Sequence, residues 1–170
     1  SKGMGGVGVA LPQDSFAIAL NPAGMATQGN RFDLGTSWIW PSGSTRIEET
    51  GQRFRNRQVL WFPEAALAWE FCPCQVISIA TWINGSLHLE YPGAIPSLGT
   101  NPVTFNFSQI ALAASWAWRI NPIHSVGIAV NIYIAWLQAQ GVENFIPNSV
   151  SPDDLSLIGV GLGFEPGCSL

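Results

Sequence analysis

From Arg31 onward, apolar and polar residues alternate with period two in segments of about 9 to 11 residues or more, the length a tilted strand needs to cross a bilayer. The clearest runs from Ser125 to Ala139. Its even positions carry Val126, Ile128, Val130, Ile132, Ile134 and Trp136, and its odd positions Ser125, Gly127, Ala129, Asn131 and Tyr133. Gln109 to Ile120 repeats the logic, with Ile110, Leu112, Trp116 and Trp118 on one face. Upstream of Ser108 the apolar residues move to odd positions, Val103, Phe105 and Phe107. A one-residue slip reverses the faces, so a β-bulge near Ser108 or Gln109 is expected. Phe32, Leu34, Trp38 and Trp40 mark another strand; Trp61, Leu67, Trp69 and Phe71 a further one, set against Glu64 and Glu70. Ile77, Ile79, Ile83, Leu87 and Leu89 mark a third, set against Ser78, Asn84, His88 and Glu90. The pattern predicts an antiparallel meander over 31–48, 57–71, 75–91, 103–120, 125–140 and 155–166. Tight turns fall at 72–74 and 121–124, and longer loops at 41–56, 92–102 and 142–153.

Residues 1–30 lack this alternation and are rich in Gly and Ala, so they form a compact irregular or partly helical segment ahead of the strands. Gly85, between Asn84 and Ser86, interrupts a strand interior, which marks either a kink or a weak pairing. Glu64, His88, Asn131 and Tyr133 lie on the polar phase and are the candidates for an interior lining.

Composition changes the picture. Apolar residues make up 47% of the 170 and charged ones 11%, against roughly 25% charged in soluble domains, so a fully solvated surface is hard to build. Yet the longest apolar runs, such as 132–137, fall far short of the 18 to 20 residues or so of a membrane helix. High apolar content in alternating strands predicts an all-β fold, a transmembrane antiparallel β-barrel. Tryptophans near strand ends fit an aromatic girdle. The competing class is a non-transporting surface or structural β-protein, an adhesin-like module or a soluble β-sandwich with a Trp-rich core.

The net charge is −4, and Arg53, Arg55 and Arg57 form the one basic cluster, read as a solvated loop base. Nucleic acid is excluded as a partner. Cys72, Cys74 and Cys168 make neither a disulfide framework nor a metal set, and no cofactor is expected. Gly3 to Gly8 matches a dinucleotide-binding loop but lacks the preceding strand. His88 has no nucleophile elbow or orienting acid to go with it, so an acyl-modifying enzyme is disfavoured and the chain is read as a non-enzyme.

The Gly-x-Gly repeats followed by Val9-Ala10-Leu11-Pro12-Gln13-Asp14, Asn21-Pro22-Ala23-Gly24-Met25 and Arg31-Phe32-Asp33-Leu34-Gly35 resemble the start of the FadL/TodX family of bacterial outer-membrane transporters. Trp61-Phe62-Pro63, Trp118-Arg119-Ile120-Asn121 and Ser125-Val126-Gly127-Ile128 are similar to later stretches of that family. The resemblance implies a barrel of 14 strands, of which about six are present at 31–170, plugged by an N-terminal hatch at 1–30. It implies passive transport of long-chain fatty acids or other hydrophobic molecules across the outer membrane, with lateral release into the lipid. The exit would be a kink in the third strand at Asn84, Gly85 and Ser86, gated by Asn21, Pro22 and Ala23 of the hatch. Six strands are fewer than the eight of the smallest barrels, so a fragment, a truncated product or an assembling subunit is expected.

Overall fold

The computed structural model describes residues 13–41, 43–48, 51–56, 59–95, 98–142, 144 and 155–169. The glycine-rich motif at 3–8, most of the loop at 142–153 and the first part of the proposed hatch lie outside the described residues. Among the described residues two short 3-10 helices, Ser15–Ala19 and Pro22–Thr27, precede eight strands. These are β1 (Arg31–Ile39), β2 (Gly43–Arg46), β3 (Arg53–Asn56), β4 (Leu60–Cys72), β5 (Gln75–Ala94), β6 (Pro102–Arg119), β7 (Ser125–Gln140) and β8 (Leu155–Ser169). Six of them form one antiparallel sheet in the order β1-β4-β5-β6-β7-β8, open at β1 and β8; β2 and β3 pair as a separate hairpin. The expected meander is present. Its first strand is shorter than expected, because Pro41 follows Ile39 and Trp40 and the chain turns into the hairpin.

Register fixes which residues share a face. Phe32 pairs with Leu67, Leu67 with Ile79, Ile79 with Ala114 and Ala114 with Val130, so these lie in one row across five strands. That face is open. Leu34, Trp61, Trp69, Ile79, Trp116, Val130 and Leu162 all project from it as exposed side chains. Below the level of Ser86 and Ser108 it carries no charged side chain among the described residues.

The opposite face is small and polar in its lower half, with Ala66, Ala68, Ser78, Ala80, Ala113, Ser115, Ala129 and Asn131 all buried. The N-terminal segment covers it. Ile18 and Met25 are fully buried there, packed in one cluster with Ala66, Val76, Ala117 and Ala129. Small strand side chains are what allow a separate backbone to lie this close. Each 3-10 helix is capped by the side chain before it: Asp14 accepts from the Phe16 N–H and Asn21 from the Ala23 N–H, which satisfies donors a helix start leaves free.

The segment is fastened at both ends. Near β1, the Ser15 N–H donates to Asp33 at 2.8 Å, and Asp33 is also paired with Arg31. At the other end Asn21 Nδ2 donates to the Cys168 carbonyl at 3.2 Å and Ser125 Oγ to the Ala23 carbonyl at 3.0 Å. Gly127 and Gly167 pair directly across β7 and β8. A Cβ on Gly127 would stand 2.5 Å from the Ala23 nitrogen, and one on Gly167 would stand 2.5 Å from Asn21 Oδ1. The two glycines therefore make a notch that only a chain without side chains there can offer.

Candidate functional site

The most irregular part of the sheet lies where β4 and β5 part. The two strands pair from Cys72↔Gln75 to Glu64↔Trp82 and no further. Beyond that level Leu60 to Pro63 pair only with β1, while β5 continues along β6 as far as Ala94. Pro63 stands one residue past the last pair, and it has no N–H to give to a ladder. On the other side of the opening, the register between β5 and β6 shifts between Ile83 and Gly85, leaving Asn84 as an extra residue. A bulge of this kind bends its strand and increases the local twist. Asn84 Nδ2 donates to Gln109 Oε1 at 2.7 Å, which ties the bulge to β6 and away from β4.

The result is a cleft of about 490 Å³ bounded by Ile39, Leu60 and Phe62 on one side and by Ile83 to His88 on the other. Glu64 lies at its base on the covered face, with Ser37 Oγ 3.5 Å from its carboxylate. A second hollow of about 500 Å³ opens on the exposed face directly below, where Ala65, Thr81 and Ala114 stand among Leu67, Ile79 and Leu112. Small residues at the centre of a greasy surface make that hollow.

The bulge also corrects two expectations. Because Asn84 adds one residue, odd positions of β5 cross from the open face to the covered face above it. Leu87 and Leu89 pair with Phe107 and Phe105 on the covered face, whereas His88 and Glu90 pair with Asn106 and Thr104 on the open face. His88 Nδ1 is hydrogen-bonded to Asn106 Oδ1 on that face. His88 therefore does not line the interior. The expected bulge near Ser108 or Gln109 is absent from β6, whose register with β7 runs unbroken from Thr104 to Arg119. Val103, Phe105 and Phe107 lie on the covered face by true alternation, so the apolar residues themselves change face. Above the bulge, the covered face is apolar and the open face carries Ser86, His88, Glu90, Asn106 and Ser108.

Of the other expected interior residues, Glu64, Asn131 and Tyr133 do lie on the covered face; Asn131 is buried, and Tyr133 packs over Gly161 and Gly163. Asn84, Gly85 and Ser86 sit at the cleft. Asn21, Pro22 and Ala23 do not face it. They are held on β7 and β8, where Gly127 is level with Val76 through Ala117, and Gly85 is nine residues further along β5, about 30 Å. The Gly127–Gly167 notch seats that segment's backbone, with Ala23 and Asn21 where side chains on the two glycines would lie. Pro63 was the sequence signal for the parted strands, as a proline inside a strand pattern. Cys72, Cys74 and Cys168 are free and exposed. Among the described residues no helix is long and apolar enough to cross a membrane, which bears only on helices. No family model and no curated protein matches the sequence.

Proposed function

We propose that this chain forms part of an outer-membrane β-barrel that passes hydrophobic molecules, long-chain fatty acids above all, and releases them sideways through the cleft between β4 and β5. The observation that carries the reading is the inverted sheet: large apolar side chains on the open face, small and polar ones under the N-terminal segment. A soluble sandwich would bury the greasy face. From Trp118 to Ser108 the open face is apolar over ten residues, about 33 Å of strand, which a tilt of about 40° projects to about 25 Å, the height of a barrel's lipid-facing band. Trp69, Trp116 and Trp118 lie at one margin and Trp38, Trp61 and Trp136 at the other, as aromatic girdles would. The open edges β1 and β8 then need further strands, because unpaired edges are costly in lipid. The resemblance to FadL/TodX proteins supports the same reading.

On this account the N-terminal segment is the hatch that closes the barrel axis, and the ligand reaches the cleft over Leu87, Leu89, Phe105 and Phe107. A long acyl chain gains about 0.8 kcal/mol per buried methylene, so a sideways exit into lipid keeps what a watery exit would forfeit. The hatch residues Asn21, Pro22 and Ala23 serve as its fastening to β7 and β8 rather than as the gate. The test is Gly85→Arg in the complete protein reconstituted into liposomes. A Cβ at Gly85 meets only Phe107 Cε1, at 3.9 Å, so the variant should fold and insert. A cation in an apolar passage should reduce delivery of oleate by about tenfold or more. Wild-type delivery by a correctly inserted variant would overturn the exit route.

A further inference from the structure

Above the apolar band the open face continues along the same three strands, β5, β6 and β7, and changes its chemistry. Ser86, Ser108 and Trp136 share one cross-strand row, and His88, Asn106 and Gln138 share the next. Glu90, Thr104 and Gln140 form the row above those. Hydroxyls and amides dominate; Glu90 is the acidic residue of these rows, and they hold no lysine or arginine. Ser86 Oγ and Ser108 Oγ stand 3.3 Å apart, within hydrogen-bonding distance, and His88 Nδ1 is bonded to Asn106 Oδ1. Gln138 and Gln140, by contrast, are exposed and have no side-chain hydrogen-bond partner among the described residues. Each of their amides offers both donors and an acceptor. Trp136 is exposed at the lower margin of the patch, where an indole presents an apolar ring on one side and an N–H at its edge.

The apolar band begins directly below, at Ile110 and its partner Ile134. Four residues down β6 from Ser108, about 13 Å of strand, Leu112 borders the open-face hollow together with Ala114, Val130 and Ile132. One unbroken face thus carries, in line along β6 and β7, an uncharged polar patch, an indole margin and an apolar hollow. That order of surfaces matches an amphiphile with an uncharged, hydroxyl-rich head and acyl tails. A phosphate head would meet Glu90 and no cationic side chain in the three rows.

We propose that the open face of β5 to β7 binds a glycolipid of the surrounding membrane. Its sugar head lies on Asn106, Gln138 and Gln140 with one ring against Trp136, and an acyl chain runs down over Ile132 and Leu112. The assignment rests on the membrane reading proposed above and names a lipid partner outside the passage, since the ligand in transit uses the cleft and the β4–β5 side of the hollow.

The experiment is native mass spectrometry of the complete protein released from micelles after incubation with diglucosyl dioleoylglycerol, dioleoylglycerol, dioleoyl phosphatidylglycerol or maltose. Oleate delivery is measured in parallel on liposomes. The site predicts that the wild type retains the diglucosyl lipid at concentrations about tenfold lower than either other lipid, as two or so added hydrogen bonds would give. Gln138→Leu/Gln140→Leu should lose that preference and deliver oleate normally, because both side chains are exposed and hold nothing within the fold. Gln138→Asn/Gln140→Asn should recover part of the preference. Equal retention of the three lipids by the wild type, or a preference for phosphatidylglycerol, would overturn the glycolipid site; normal oleate delivery by the same protein would leave the proposed function standing. An unchanged preference in the Leu variant would overturn the placement on this face, and maltose bound as tightly as the diglucosyl lipid would overturn the lipid-linked source. Failure to deliver oleate with the glycolipid preference intact would instead overturn the proposed passage and uphold this site.

Discussion

Gly127→Ala tests how the N-terminal segment is held. The added methyl would lie 2.5 Å from the Ala23 nitrogen, 2.6 Å from the Pro22 carbonyl carbon and 2.8 Å from Ala23 Cα, all of them backbone atoms with no side chain to swing away. Overpacking of this kind costs about 1–3 kcal/mol. Relief by moving the segment breaks the Ser125–Ala23 and Asn21–Cys168 hydrogen bonds, at about 1 kcal/mol each. The docked state should therefore lose about 3–5 kcal/mol, the sum of those two contributions. The assay is amide hydrogen exchange on the complete protein in micelles, read at Leu20, Asn21, Gly24 and Gln28, whose N–H groups are bonded within the segment. A loss of 2 kcal/mol or more speeds their exchange by about thirtyfold or more, while β6 and β7 amides stay protected. Gly159→Ala is the control: a Cβ there meets nothing within 4 Å, and exchange should not change. Wild-type protection at Asn21 and Gly24 in Gly127→Ala would refute the notch.

Spin labels at Ile128, Val130 and Ile132 should contact lipid while labels at Ala129 and Asn131 do not; equal accessibility on both faces would sink the membrane assignment. His88→Ala should cost about 1 kcal/mol through the lost bond to Asn106, read as a lower unfolding midpoint of the inserted protein; an unchanged midpoint would refute that bond.

The alternation was legible in the sequence because open-face and covered-face positions differ in size as well as polarity. β7 occupies the expected 125–140, and its faces follow the expected parity from Ser125 to Ala139. What alternation does not encode is the cause of a change in phase. Val103, Phe105 and Phe107 look the same whether a residue is inserted or the apolar face changes sides; only pairing with Leu137 and Ala139 decides, and it shows the second. The true insertion, Asn84, hides because the apolar residues Ile77, Ile79, Ile83, Leu87 and Leu89 keep odd positions on both sides of it, since the bulge and the change of face cancel. The parted strands at Pro63 and the docking of Asn21 to Ala23 depend on contacts distant in the chain. Gly127 and Gly167, glycines inside strands, were the available hint of a close backbone approach.

The lateral exit is tested most directly by photolabelling the complete protein in liposomes with a diazirine-bearing fatty acid and mapping the modified residues by mass spectrometry. The account predicts labels at Phe62, Ile83 and Leu87 in the cleft and at Thr81 in the hollow below it on the open face. Labels on Val76, Ser78 and Ser115 beneath the N-terminal segment, with none at Ile83 or Thr81, would contradict it by showing that the ligand leaves along the axis.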